Sequence, residues 1–222
     1  MTDFEAARFN MVECQVRPSD VTDVRIQAAM SAIPREAFAP KAKQSLAYMD
    51  ATLDVAANRY LVEPRCFAKL VQAARIEEGD LVLDLGCGTG YSSAILAALG
   101  TAVVAVENDP DLVELASQTL AGLEVDNAAV IEGDIAAGAP AQGPFDVIFV
   151  NGAVEQIPQA LFDQLNPGGR LAAVVTEDGK SSARIYLKSL EADGTEVMGH
   201  LDVFDAAIPP FPEFERAKGF VF

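Results

Sequence analysis

The sequence predicts an α/β protein built on a doubly wound, mostly parallel seven-stranded sheet. A helical lead-in precedes this Rossmann-like core, and an antiparallel strand pair follows it. Three observations carry the prediction. From Pro64 onward, short unbroken apolar runs alternate with stretches of helical periodicity, the pattern of parallel strands buried on both faces. A glycine-rich turn, Gly86-Cys87-Gly88-Thr89-Gly90, follows the first of those runs. Two late apolar stretches, 196–204 and 219–222, have no helical pattern between them.

The lead-in, residues 1–63, is punctuated by Pro18, Pro34 and Pro40. Within it Val24, Ala28, Met30 and Ile33 recur near helical spacing. Pro34 should end that helix, because its ring blocks the preceding turn and it lacks an N–H. Residues 48–62 read as an extended crossing. Residues 64–222 form the main unit, and the two parts are expected to pack as one compact body. Pro64 suits a helix start, with Phe67, Leu70, Val71 and Ala74 as the apolar stripe. Five strands are then expected at 81–83, 103–106, 128–131, 147–150 and 171–175. Helices are expected through Ile95 to Leu99, at 111–120 and at 157–165, with 166–169 as a turn. The two late strands would pair antiparallel at a sheet edge. The loop between them, with Pro209, Pro210 and Pro212, is expected to cover that edge; lining a substrate cleft is the alternative.

Composition narrows the function classes. The chain of 222 residues carries 33 acidic and 16 basic residues, a net charge of -17, so broad binding to phosphate backbones or anionic lipid is disfavoured. Cys14, Cys66 and Cys87 lack metal or redox spacing, and a single histidine, His200, argues against a histidine metal centre. The N-terminus lacks a signal-peptide pattern, and no apolar run approaches the roughly 20 residues that span a bilayer. A cytoplasmic protein, monomeric, without metal, nucleic acid or membrane partners, is the expectation.

The glycine turn joins a strand to a helix at the carboxyl end of the sheet, where open α/β folds bind ligands. Its glycines let the backbone turn tightly and approach a ligand closely. The spacing is neither that of a P-loop nor the Gly-x-Gly-x-x-Gly of a dinucleotide site. Asp84 before the turn suits a cationic ligand group, not a pyrophosphate. Glu107 ends the second strand, where a carboxylate can accept from two ribose hydroxyls. Asp134 follows the third strand and can accept from an adenine amine, with Ile135 packing on the ring. These three acids match successive parts of S-adenosylmethionine. Gly86, Cys87, Gly88, Gly90, Tyr91, Asn108 and Asn151 complete the set expected around this methyl donor. Cys87 reads as a small neutral loop residue, since no histidine lies near to activate it.

Four segments then resemble the protein-L-isoaspartate O-methyltransferases, over most of the chain. Residues 32–40 (AIPREAFAP) are similar to that family's "VPRE.FVP", and 47–53 (AYMDATL) to "AY.D..L". The glycine turn with Tyr91 is similar to "GxGxGY". Phe145-Asp146-Val147-Ile148, Pro158, Leu161, Gln164-Leu165 and Gly168-Gly169 carry the fourth. The resemblance implies methyl transfer from S-adenosylmethionine to the carboxylate of isoaspartyl residues in proteins or peptides, a step in protein repair. One segment departs from the family. Where it has "GQTISxP", whose serine contacts the substrate carboxylate, this chain reads Asn58-Arg59-Tyr60-Leu61-Val62-Glu63-Pro64. Val62 cannot donate the serine's hydrogen bond. Either Arg59 or Tyr60 takes over the carboxylate, or Arg59 is a surface charge and Tyr60 packs on adenine. A different acceptor, or a binding module without turnover, are the alternatives that Val62 leaves open.

Overall fold

The computed structural model describes residues 3–191 and 193–216. Helix α1 (Phe4–Met11) begins where the Asp3 carboxylate accepts from the Ala6 N–H. Helix α2 (Val24–Ala32) is capped by Asp23 and stops one residue short of Pro34, whose ring disfavours helical backbone at Ile33. The extended crossing is a hairpin of β1 (Leu53–Ala56) and β2 (Arg59–Leu61). It turns through Asn58 at φ +53°, a left-handed conformation that asparagine tolerates. Helix α3 (Pro64–Ala74) carries Pro64 in its first turn, where the missing N–H has no intrahelical partner to lose.

The alternating pattern then becomes β3 (Leu81–Leu85), α4 (Tyr91–Ala97), β4 (Ala102–Glu107), α5 (Pro110–Gly122), β5 (Ala128–Glu132), β6 (Phe145–Val154), α6 (Gln159–Asp163) and β7 (Leu165–Glu177). Two strands without an intervening helix, β8 (Lys180–Leu190) and β9 (Glu196–Asp205), complete a sheet of order β5-β4-β3-β6-β7-β8-β9. The pairs among β5, β4, β3, β6 and β7 are parallel, and β7-β8 and β8-β9 are antiparallel. The chain moves outward from β3 through β4 to β5, then returns to β6 on the other side of β3. The carboxyl end of β3 is therefore a topological switch point, and the glycine turn lies there.

Both faces of the sheet are covered. On one, Val82, Ala105, Val147 and Phe149 join Phe67 and Leu70 of α3 and Met11, Val16, Met30 and Phe38, so the described lead-in shares a core with the main unit. On the other, Leu83, Leu85, Val106, Ile148 and Val150 pack with Ile135, Leu161, Phe211 and Phe214.

The observed elements differ from the expected ones in four places. The antiparallel pair is β8 with β9, not 196–204 with 219–222; residues 219–222 lie outside the described residues. Strand β6 runs on past Val150 because Val150–Gly152 form a bulge, the register passing from Phe149↔Ala172 to Ala153↔Val174. The expected turn at 166–169 is absorbed into β7 as a register shift. The helix expected at 157–165 keeps only Gln159–Asp163, because Pro158 is extended at its N-cap.

Candidate functional site

At the end of β3 the backbone passes through Gly86 (φ +71°), Gly88 (φ +56°) and Gly90 (φ +95°), a left-handed series that side-chain-bearing residues resist. Gly90 also needs to be small: a Cβ there would lie 3.2 Å from Ala116 Cβ on α5. Gly86 is held from below by its N–H to the Val106 carbonyl at 2.9 Å.

Asp84 is fully buried beneath this turn. Its Oδ2 accepts from the Ser92 and Ser93 hydroxyls of α4 at 2.6 and 2.7 Å, while Oδ1 has no hydrogen-bond partner among the described residues. Burial lifts its carboxyl to ionise at about 6; the two serines oppose this, and the nearby Glu107 charge adds to it. An unpartnered buried acceptor is costly, and a ligand cation or donor reaching the turn would relieve it.

Glu107, fully buried at the end of β4, is the hub of the site. It accepts from the Arg59 Nε at 2.9 and 2.8 Å, from the Gly88 N–H at 2.9 Å, and from the Asn108 and Asp109 N–H groups at 2.9 and 3.3 Å. Arg59, 3% exposed, also donates from Nη2 to Asn108 Oδ1 at 2.6 Å and to Glu213 Oε1 at 3.0 Å. Its guanidinium lies 4.7 Å from the centre of the Phe211 ring. Burial disfavours the Arg59 charge, but the Glu107 contacts outweigh it and raise its pKa above the ordinary arginine value. Glu213 is held below the usual carboxylate range: burial opposes ionisation, and its own backbone N–H and Arg59 overcome it.

The segment after β9 completes the arrangement. The Phe211 N–H donates to the Ala153 carbonyl at 2.8 Å, and the Ala153 N–H to the Pro209 carbonyl at 3.1 Å. This pins the Phe211 ring against two glycines: a Cβ at Gly86 would fall 2.5 Å from the ring, and one at Gly152 would fall 2.7 Å from it. The loop expected to cover a sheet edge therefore crosses the carboxyl ends of the central strands. Phe211, Glu213, Ser92 and Ser93 are site residues that sequence reasoning missed. The serines carried a signal, two hydroxyls in the first turn of the helix that follows the glycine turn. Phe211 and Glu213 carried none local to the turn.

Of the remaining expected residues, Cys87, Asn108 and Asn151 lie at the turn and Asp134 one residue beyond the Gly133 N–H that donates to the Glu107 carbonyl, while Ile135 and the Tyr91 ring face the core. Asp134 is exposed and caps a turn by accepting from the Ala136 N–H at 2.9 Å. Ile135 is fully buried in the core below, so it presents no surface to a ring. The Tyr91 ring points away from the turn, between Phe38 and Phe67, with the Arg35 guanidinium 4.7 Å from its centre. Cys87 is buried, which raises its thiol pKa well above the ordinary value and keeps it protonated. Asn151 is buried with its amide 3.3 Å from the Gly86 carbonyl, and Asn108 is exposed beside Glu213. Val62 is buried in an apolar crevice with Cys66, Phe67, Leu70, Phe149 and Ile208, and its carbonyl accepts from Arg35 Nη2 at 2.7 Å. Tyr60 is half-buried on β2. Among the described residues no group of three or more acidic, cysteine or histidine side chains is placed to hold a metal, and no helix is long and apolar enough to cross a membrane.

The chain matches the protein-L-isoaspartate(D-aspartate) O-methyltransferase family over residues 8–201. It is 40% identical to a protein-L-isoaspartate O-methyltransferase of Methanoculleus marisnigri over 187 residues, 84% of each chain. It is 41% identical to one of Gloeobacter violaceus over 171 residues, 76% of this chain and 83% of that one. Among solved structures it is similar to a protein-L-isoaspartate O-methyltransferase at TM-score 0.78 and 27% identity, with 92% of this chain covering 65% of that one. A Plasmodium falciparum protein assigned to the same class, in complex with S-adenosyl-L-homocysteine, shares the fold at TM-score 0.76 and 18% identity, covering 96% of this chain and all of that one.

Proposed function

Because the chain belongs to the protein-L-isoaspartate(D-aspartate) O-methyltransferase family, we propose that it transfers a methyl group from S-adenosylmethionine to the carboxylate of isoaspartyl residues in damaged proteins or peptides. One observation carries the donor half of this reading. Asp84, the left-handed glycine turn and Glu107 lie together at adjoining strand ends, and the buried Oδ1 of Asp84 has no partner among the described residues. The side chains have the chemistry the donor needs, although Arg59 and Phe211 lie over Glu107 and Gly86 in this structure. Asp84 would receive its ammonium end, the glycine backbone its methionine portion, Glu107 its ribose, and Asp134 its adenine.

When bound, the donor supplies an electrophilic methyl on a sulfonium centre. The acceptor carboxylate is already ionised at neutral pH, so the chain need not supply a base. What its residues must do is hold that carboxylate in line and keep water out. Val62 contributes only apolar surface. The neighbours left to hold the acceptor are Tyr60 and Arg59, and Arg59 is committed to Glu107 and Glu213 in this structure. The same proposal places the protein in the cytoplasm as a monomer. Transfer of labelled methyl to an isoaspartyl peptide, with the ordinary aspartyl peptide as control, tests it. Label on the isoaspartyl peptide alone is expected; label on neither, or on both equally, would end the isoaspartyl reading.

A further inference from the structure

The glycine turn of this chain is buried throughout, and what buries it is the chain's own sequence. Three linked contacts do so. The Phe211 ring fills the space over Gly86 and Gly152. Arg59 occupies Glu107: with its two contacts and three backbone N–H donors, both oxygens of that carboxylate are used, and a carboxylate offers about four acceptor sites. Glu213 then ties the two together, accepting from Arg59 at 3.0 Å and from Asn108 Nδ2 at 2.7 Å. A ribose cannot use Glu107 while Arg59 is there, nor can a ligand reach the Gly86 backbone past Phe211.

We propose that Arg59 and the segment 209–214 form a built-in plug of the donor site, held by the Arg59–Glu213 ion pair and the Phe211 seat, which must withdraw before S-adenosylmethionine binds. This rests on the reading of the glycine turn as the donor site. The plug is attached in a way that permits withdrawal. Its backbone is tied to the main sheet through Ala153, Glu155 and Gln156 only at the bulged end of β6, and Phe211 and Phe214 are its anchoring side chains. The hairpin that carries Arg59 is a separate two-stranded sheet, so it can shift without breaking the seven-stranded one. Where the binding-competent state is a minor one, the apparent dissociation constant exceeds the intrinsic one by the inverse of the open fraction. Weakening the plug should therefore tighten binding.

Calorimetric titration of the full chain with S-adenosylmethionine and with S-adenosylhomocysteine tests this, for the parent protein and for Phe211→Ala and Glu213→Gln. The first empties the seat over the glycines. The second removes the ion pair without touching the core, and so serves if Phe211→Ala folds poorly. Binding about tenfold tighter in either variant than in the parent is expected. Hydrogen exchange adds a readout that does not depend on variants: ligand should speed exchange at the Phe211 and Glu215 amides in the parent chain. Equal affinity in parent and variants, with no change in exchange at residues 209–216, would overturn the plug and leave the donor reading intact. Binding in none of the folded proteins would overturn both.

Discussion

Arg59→Met is the perturbation whose size the structure sets most closely. The Arg59–Glu107 pair is 3% and 0% exposed. Removing one partner of a buried pair costs about 3–5 kcal/mol, because the other charge is left without compensation. Glu107 would keep its three backbone N–H donors, which places the loss at the lower end of that range, about 3 kcal/mol. The lost contact to Glu213, whose side chain is 21% exposed, adds at most about 1 kcal/mol. The assay is urea unfolding at pH 7 followed by far-ultraviolet circular dichroism, since the chain has no tryptophan. The double variant Arg59→Met/Glu107→Gln should recover at least about 1.5 kcal/mol, because no buried charge then remains unpaired. A single variant that loses less than about 1 kcal/mol, or a double variant no more stable than the single, would show that the pair is not the buried, mutually dependent contact described above.

Asp84 ionises at about 6 in the fold against 3.8 ordinarily, so the native state binds more protons than the unfolded state between those values, and stability falls as pH rises through that window. Asp84→Asn should therefore stabilise the chain at pH 7 by up to about 3 kcal/mol while abolishing donor binding, with the stability gain shrinking toward pH 4; a gain independent of pH would refute the assignment. Val62→Ser should restore a donor for the acceptor carboxylate and raise kcat/KM for isoaspartyl peptide roughly tenfold or more, as measured by methyl transfer; no change would remove Val62 from the acceptor site. Gly152→Ala should cost about 1–3 kcal/mol in the parent chain, because its Cβ would meet the Phe211 ring, and clearly less in a Phe211→Ala background. Equal costs in the two backgrounds, measured by thermal unfolding, would mean that the ring does not rest there.

Much of the fold was legible because its signals are local. Each parallel strand is a short apolar run, and the acids at the ends of β3 and β4 sit where those runs stop. Strand β8 was not legible for the opposite reason. It places Arg184 and Lys188 in buried positions, among apolar residues, so it reads as polar. Only its partners explain it: Arg184 meets Asp202 and Glu177, and Lys188 meets Glu196 and the Leu165 carbonyl. Tyr91 lies within the glycine motif, yet the phase at which α4 begins turns its ring into the core beside Phe38. The glycines, Asp84 and Glu107 could be assigned to one place because they follow consecutive strands. Phe211 and Glu213 could not, since nothing near them in sequence says that the chain folds back across the centre of the sheet.

The glycine turn is proposed as the methyl-donor site, covered by the chain itself. A crystal structure of the full protein grown with S-adenosylhomocysteine tests this most directly. The expected result is ligand on the turn between Asp84 and Glu107, with Arg59 off the Glu107 carboxylate and the Phe211 ring displaced from Gly86 and Gly152. Ligand bound elsewhere, with Arg59 and Phe211 in their present places, would contradict it.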